Sequence, residues 1–331
     1  MIRYVLLRLG QALVVLWAAY TVSFIVLYTL PGDPVSLLSG GDASDVTPAQ
    51  LDALRAKFGL DRPLIVQYLV HLGGVLTGHL GTSIQTGRPV TAIIGEAIPP
   101  TLQIAALGFV FAIVLGAGLA ILAAYTRSRW LGTLLLSLPP LGVAIPTFWF
   151  GLLLIQWFSF AIPLFPATGD KGPASLVLPA VALAVPTGAM IAQLLSKSLV
   201  TTLREPYIDT AWAKGASRPR VHLGHALRNA ALPALTVTGL IVGQLLAGTV
   251  VVETVFSRPG IGRVTATAVQ QQDIPVVQGV VLFAASAFVL ANLAVDLVYP
   301  LLDPRIVLPR TSRRALRAAG QPVAVGAEAR A

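Results

Sequence analysis

The chain contains no cysteine, which excludes disulfides, Cys-based metal sites and thiol nucleophiles. Charge is scarce: 11% of the 331 residues are Asp, Glu, Lys or Arg, against about a quarter in an ordinary soluble domain. No G-x-x-x-x-G-K-[ST] stretch is present, so the chain has no loop to cradle ATP phosphates. H-E-x-x-H is missing too, and the one close histidine pair, His222 and His225, has no glutamate between its members. With His71 and His79 added, the histidines still make no metal-ligand spacing with a carboxylate. The expectation is a non-catalytic chain that binds no metal and no cofactor of its own.

Apolar residues are what the chain has in abundance, at 55%. Six runs are long enough to span a bilayer, at roughly 9–30, 100–124, 131–158, 175–196, 233–256 and 278–301. The first follows Arg3 and Arg8 as a signal peptide would. It is about 20 residues long, however, where a signal h-region runs to about 7–15, and it is read as a retained span. The reading is an all-α polytopic membrane protein with six transmembrane helices. Pro139, Pro140, Pro146, Pro179 and Pro186 are expected to kink the third and fourth spans.

Six spans put both termini on one side. Placing that side in the cytoplasm leaves only Arg55, Lys57, Arg62, Arg88, Lys171, Arg258 and Arg263 of the 23 basic residues outside. The net charge of +9 is therefore a topology signal, with attraction to anionic lipid, and not a nucleic-acid footprint. Three regions follow: 1–99, the first span with a long extracytoplasmic loop; 100–308, the core of five spans; and 309–331, a basic tail expected to be disordered. In the outer loop, Thr47-Pro48 opens a helix running to Phe58, and Leu64–Leu76 is a second amphipathic stretch. That subdomain is either a lid or docking surface for an outside partner or packing across the span ends.

The segment 205–233, EPYIDTAWAKGASRPRVHLGHALRNAALP, lies between the fourth and fifth runs. Glu205 and Pro206 open a short helix, Asp209 sits near its positive end and Lys214 near its negative end. Gly215 is placed to stop it in the left-handed conformation. A second helical stretch runs from Arg218 to Ala231, with Pro233 beyond. Tyr207, Ala211 and Trp212 are expected to share a face that fits a partner's groove; the bland alternative is an amphipathic helix on lipid headgroups.

Asp209-Thr210-Ala211, then Gly215, then Ala231-Leu232-Pro233 resembles the EAA loop of ABC-importer membrane subunits. Asp209 and Thr210 depart from the family's Glu and Ala. The peptide/nickel branch runs close to YIRTARAKG…HALRNALLP, where this chain has YIDTAWAKG…HALRNAALP. RYVLLRLGQAL…LPGDPV, FGLDRPLIVQYL (58–69), ETVFSRPGIG (253–262) and LVYPLLDPRI (297–306) look like B-type subunits of dipeptide and oligopeptide permeases. The resemblance covers about residues 1–308. His79, in GHLGTS, stands where relatives usually have Asp.

The resemblance implies a type I ABC importer permease fold in a bacterial cytoplasmic membrane. It also implies a paralogous C-type permease subunit, two ATPases that bind ATP and Mg, an extracytoplasmic solute-binding protein and a peptide substrate. Nickel chelates, glutathione or another small solute are the alternative cargoes, and a gated channel without an ATPase is the rival of another class. Glu205 to Gly215, with Pro233, would then be the ATPase-coupling loop. Polar residues within spans should face the bundle. Gln193 and Gln244 are candidates for the path or for interhelical hydrogen bonds, whereas Asn292 and Asp296 are read chiefly as structural. Glu253, a third candidate for the path, and Arg258–Gly262 lie at the outer end, where they are either a gate, a landing site for the binding protein or an ordinary turn. Gly239, Gly243 and Ala247 form a small-residue stripe expected at the subunit interface.

Overall fold

A computed structural model describes residues 2–29 and 48–302. The LPGDPV segment and the basic tail at 309–331 lie outside the described residues. Residues 1–292 form one compact unit; of the second, from 293 onward, the helix to Leu302 is described. The elements are α1 (Ile2–Thr29), α2 (Pro48–Phe58), α3 (Leu64–Leu76), α4 (Val90–Tyr125), α5 (Arg129–Ala144), α6 (Thr147–Ile155), α7 (Ala174–Thr202), α8 (Pro206–Ala213), α9 (Leu227–Val255), α10 (Ile261–Gln270) and α11 (Ile274–Leu302). Two π-helical segments, Gln156–Ala161 and Arg220–Ala226, extend α6 and lead into α9.

Helices α1, α4, α7 and α11 are long and apolar enough to cross a membrane, and α5 with α6 makes a fifth crossing if the bent pair is one span. Leu13, Val14, Trp17, Leu122 and Trp130 are exposed along them. Such a surface suits lipid, where helices satisfy their own backbone groups. The chain is a multi-pass membrane protein. The fifth expected span coincides with α9, of which Gly243–Val255 stands as a shorter apolar stretch among the described residues.

The third expected span is corrected. Instead of one kinked helix, α5 and the α6 segment meet at 100°. The cause is local: Ile145 precedes Pro146 and is extended, at ψ 124°, as the residue before a proline tends to be. Pro146 then opens α6. Pro139 and Pro140, by contrast, lie within α5, and Pro179 and Pro186 within α7.

The core is built on α4 against α7. Gly108, Ala112, Gly116 and Ala120 recur every fourth residue and are all buried, so they share one helix face. A Cβ on Gly116 would lie 2.5 Å from the Gly188 carbonyl, and one on Gly188 would lie 2.9 Å from that of Ala112. The two backbones touch, as small residues permit in membranes. The stripe at Gly243 behaves differently from its expected place: a Cβ there would strike the Phe288 ring of α11 at 2.8 Å, inside the chain. Ala247 is exposed, and the packing of Gly239 lies outside the described residues.

A Gly116→Ala change should therefore lower the melting temperature of the detergent-solubilised protein, at a cost of about 1–3 kcal/mol for overpacking. Gly118→Ala is the control, since a Cβ there meets nothing within 4 Å, and helix propensity alone should make it neutral or stabilising. Equal effects of the two would refute the close α4–α7 contact.

Outside the core, α3 packs on α1. Tyr68 lies 5.6 Å from the ring of Tyr20 and 5.3 Å from that of Phe24. Thr21 and Tyr68 pair through their hydroxyls at 2.9 Å. His71 pairs with the Tyr28 hydroxyl at 3.3 Å, and burial pushes its pKa down. At least this part of the subdomain between α1 and α4 is packing across a span end.

Candidate functional site: the helical loop after α7 and the cap after α9

Helix α8 opens with Glu205 extended at ψ 142° and Pro206 in its first turn, where the missing N–H costs nothing. Asp209 is in the first turn and exposed. Lys214 ends the helix, and Gly215 follows at φ +75°. The Gly215 N–H donates to the Trp212 carbonyl at 2.9 Å and that of Ala216 to Ala211 at 3.1 Å. This pair of bonds is the Schellman closure, which needs a residue able to hold the left-handed conformation.

Ile208 fixes α8 to the protein. It is wholly buried among Leu195 and Leu199 of α7 and Val221, Ala226 and Ala230 beyond the loop. Ala211, one turn on, packs against the same cluster. The expected face is thereby divided: Ala211 turns inward, while Tyr207 and Trp212 stay exposed. Asn229 donates to the Tyr207 hydroxyl at 2.8 Å. The second stretch is a π-helical turn, Arg220–Ala226, running into α9 at Leu227, so Pro233 lies inside α9 and not before it.

Beyond α9 lies a cap. The first backbone N–H groups of any helix lack intrahelical partners, and α10 starts after Gly260, which has no side chain to supply one. Residues from elsewhere do so. The Ile261 N–H donates to Thr101 Oγ1 at 2.9 Å, and the Gly262 N–H to Glu253 Oε2 at 2.7 Å. Thr101 in turn donates to Glu253 Oε1 at 2.6 Å. Gly260 has to be glycine, because a Cβ would sit 2.3 Å from the Glu253 carboxylate. Arg258, also wholly buried, donates to Ser175 Oγ at 2.6 Å and faces Asp170 at 3.2 Å.

Glu253 is thus corrected from a pathway candidate. It is 0% exposed and caps α10 from the last turn of α9, so in this chain it offers no carboxylate to a passing solute. Gln193 on α7 and Gln244 on α9 are exposed, with no place in the chain's own core. Asn292 donates to the Phe288 carbonyl of its own helix at 2.9 Å. The side chain of Asp296 lies outside the described residues.

Next to the cap is a groove of about 340 Å³ between the start of α4 and α10, with Arg88, Glu96 and Arg263 at its rim and Ile93, Val264 and Ala268 among its apolar lining. Arg88 and Glu96 pair with each other. Ser83 donates to Asp273 at 2.5 Å, pinning the loop before α4 to the turn before α11. Ile93 and Tyr125 are about 48 Å apart along α4 at 1.5 Å per residue. That exceeds the roughly 30 Å of a bilayer's hydrocarbon core, so α4 is long enough to hold the groove and its Tyr125 end on either side of one.

Residues 116–308 match the family described as binding-protein-dependent transport system inner membrane component, and residues 1–105 match its N-terminal counterpart. The chain belongs to this family. As such it is a non-catalytic membrane permease subunit of an ABC importer, a class that works with ATPase partners. A protein of Brucella abortus (strain 2308), named as a peptide transport system permease, is 36% identical to this permease over 91% of the chain and 98% of the relative. The glutathione transport system permease protein GsiC of Salmonella typhimurium (strain LT2) is 38% identical over 92% and 99%. Among solved structures, an inward-facing MetNI methionine ABC transporter shares the fold at a TM-score of 0.54 and 16% identity, over 63% of this chain and 96% of that one.

Several residues of the site were not legible beforehand. Thr101, Ser175 and Tyr125 lie in or at the ends of helices where nothing local names a partner, and each bonds a residue at least 83 positions away. Ile208 did carry a signal: it is an apolar residue three before Ala211 and four before Trp212, within the face that was expected to dock.

Proposed function

We propose that the permease forms one half of the membrane path of an importer for di- and oligopeptides in a bacterial cytoplasmic membrane. A paralogous permease subunit completes the path, two ATPases supply the energy, which enters this chain through α8, and an extracytoplasmic binding protein delivers the peptide. In this reading six helices span, both termini are cytoplasmic and α8 is the coupling helix. ATP and Mg belong to the ATPases, and this chain holds no cofactor of its own. Gln193 and Gln244 would line the path.

One observation carries the reading. In a chain without a phosphate loop, an eight-residue helix is closed by Gly215 and seated by Ile208, leaving Tyr207, Asp209 and Trp212 outward for a partner. Peptides are favoured as cargo because relatives of more than a third identity are named for peptide and glutathione transport, and glutathione is itself a tripeptide.

The test is reconstitution of the permease with its partner subunit, ATPases and binding protein in liposomes. Di-, tri- and oligopeptides, glutathione and a nickel chelate are then offered with and without ATP. ATP-dependent accumulation of peptides is expected. Accumulation of the chelate alone would remove peptides as cargo, and equal flux without ATP would replace the importer by a channel.

A further inference from the structure

The loop carrying α8 is covalently attached to α7 and α9 alone. Its strongest polar contact reaches a third helix. Arg218 donates to the carbonyl of Tyr125, the last residue of α4, at 2.6 Å. Its guanidinium also lies 4.8 Å from the centre of the Tyr125 ring. The final carbonyls of a helix have no partner within it and carry the negative end of its dipole, so a cationic donor fits there on both counts. His222, buried in the π-helical turn, pairs through Nδ1 with the Arg218 carbonyl at 3.0 Å. Its ring stands edge-on to Tyr125 at 5.3 Å and to Trp212 at 6.3 Å. An unbroken set of contacts therefore runs from the exposed face of α8 to the end of α4.

We infer that Trp212, His222, Arg218 and Tyr125 form a latch that makes α4 a third helix driven by the coupling helix. The inference rests on the reading of α8 as the coupling helix. The latch hands the ATPase stroke to both members of the α4–α7 pair at once: to α7 through the chain, to α4 through Arg218. Helix α4 suits this task. No proline interrupts it between Thr101 and Tyr125, it touches α7 backbone to backbone at Gly116, and Thr101 holds the cap at its far end. A push at Tyr125 arrives at α10 without crossing a soft joint. Arg218 and Tyr125 are positioning residues; neither touches the cargo.

Arg218→Ala, Arg218→Lys, Tyr125→Ala and the Arg218→Ala/Tyr125→Ala pair test this in the complete reconstituted transporter. The probe is whichever di- or tripeptide the wild-type complex takes up fastest, with uptake and ATP hydrolysis read in the same vesicles. Arg218→Ala should cut peptide moved per ATP by about tenfold, a usual size for coupling between sites, while hydrolysis continues and the ATPases still co-purify. Arg218→Lys should restore most of that ratio, because an ammonium still donates to the Tyr125 carbonyl. The double variant should be no worse than Arg218→Ala. A merely structural role would lower protein level and hydrolysis together and leave the ratio alone. A wild-type ratio for Arg218→Ala, or losses that add in the double variant, overturns the latch. Gly215→Pro in the same assay separates the two ideas. If it uncouples and Arg218→Ala does not, the latch falls and the coupling helix stands; if neither uncouples, the coupling reading itself has failed.

Discussion

Gly215→Pro should abolish peptide uptake while the permease still inserts and the ATPases still turn over. Gly215 holds φ +75°, and a proline ring locks φ near −65°. The substitution also deletes the N–H that donates to the Trp212 carbonyl. Both halves of the Schellman closure are lost, at a local cost of about 3 kcal/mol or more, and α8 no longer ends where its docking face requires. Uptake should fall well over about tenfold if the loop carries the coupling free energy usual between sites. Gly215→Ala separates shape from space. A Cβ there meets nothing within 4 Å, so alanine suffers only the left-handed backbone penalty of about 1–2 kcal/mol and should retain partial uptake. A charge reversal, Asp209→Lys, leaves the backbone alone but puts a cation at the helix's positive end and changes what the partner meets. It should uncouple less than proline and more than alanine. Normal uptake by Gly215→Pro at normal membrane levels would remove α8 from the coupling role.

Much of this was legible because the bilayer makes sequence simple. Long apolar runs have one solution, a helix, and the runs read at 100–124, 175–196 and 278–301 lie inside α4, α7 and α11. Helix α3 at Leu64–Leu76 matches its expected limits, and Gly215 stops α8 as its position after Lys214 suggested. What stayed hidden falls into two kinds. Local geometry was misread where proline chemistry had two outcomes: Pro146 breaks the third run outright, while Pro139 and Pro140 are absorbed by α5. Whether neighbours satisfy the freed carbonyls decides between these, and that is a tertiary matter. Long-range polar partners were the other loss. Nothing near Thr101 says that its hydroxyl serves residues 152 and 160 positions on. Glu253 illustrates the same limit, since a lone carboxylate at a span end reads equally as a gate, a landing site or a cap. The amphipathic helix α10, which starts at the last two residues of ETVFSRPGIG, lay unread for that reason: its start depends on acceptors supplied by α4 and α9.

Glu253→Ala should be among the most damaging single changes around the cap, and Glu253→Gln among the mildest at that position. Alanine leaves the Gly262 N–H, and the longer bond from the Arg263 N–H, without their acceptor, while the Thr101 hydroxyl falls back on the Ala97 carbonyl. Each unsatisfied buried group costs about 1–3 kcal/mol, and the emptied space beside Gly260 adds a cavity term. Glutamine fits the same volume and can meet every hydrogen bond. Its carbonyl oxygen accepts from Gly262, its amide donates to Thr101 Oγ1, and the Thr101 hydroxyl turns to the Ala97 carbonyl, which it already faces at 3.1 Å. The Ile261 N–H keeps its acceptor throughout. Thermal unfolding of the detergent-solubilised permease should thus rank wild type and Glu253→Gln close together and Glu253→Ala far below. If glutamine proves as harmful as alanine, then the negative charge facing Arg258 holds the cap, and hydrogen bonding is secondary. A third result, with both variants stable but uptake lost, would return Glu253 to the path, because a cap residue cannot be silent in stability and decisive in transport.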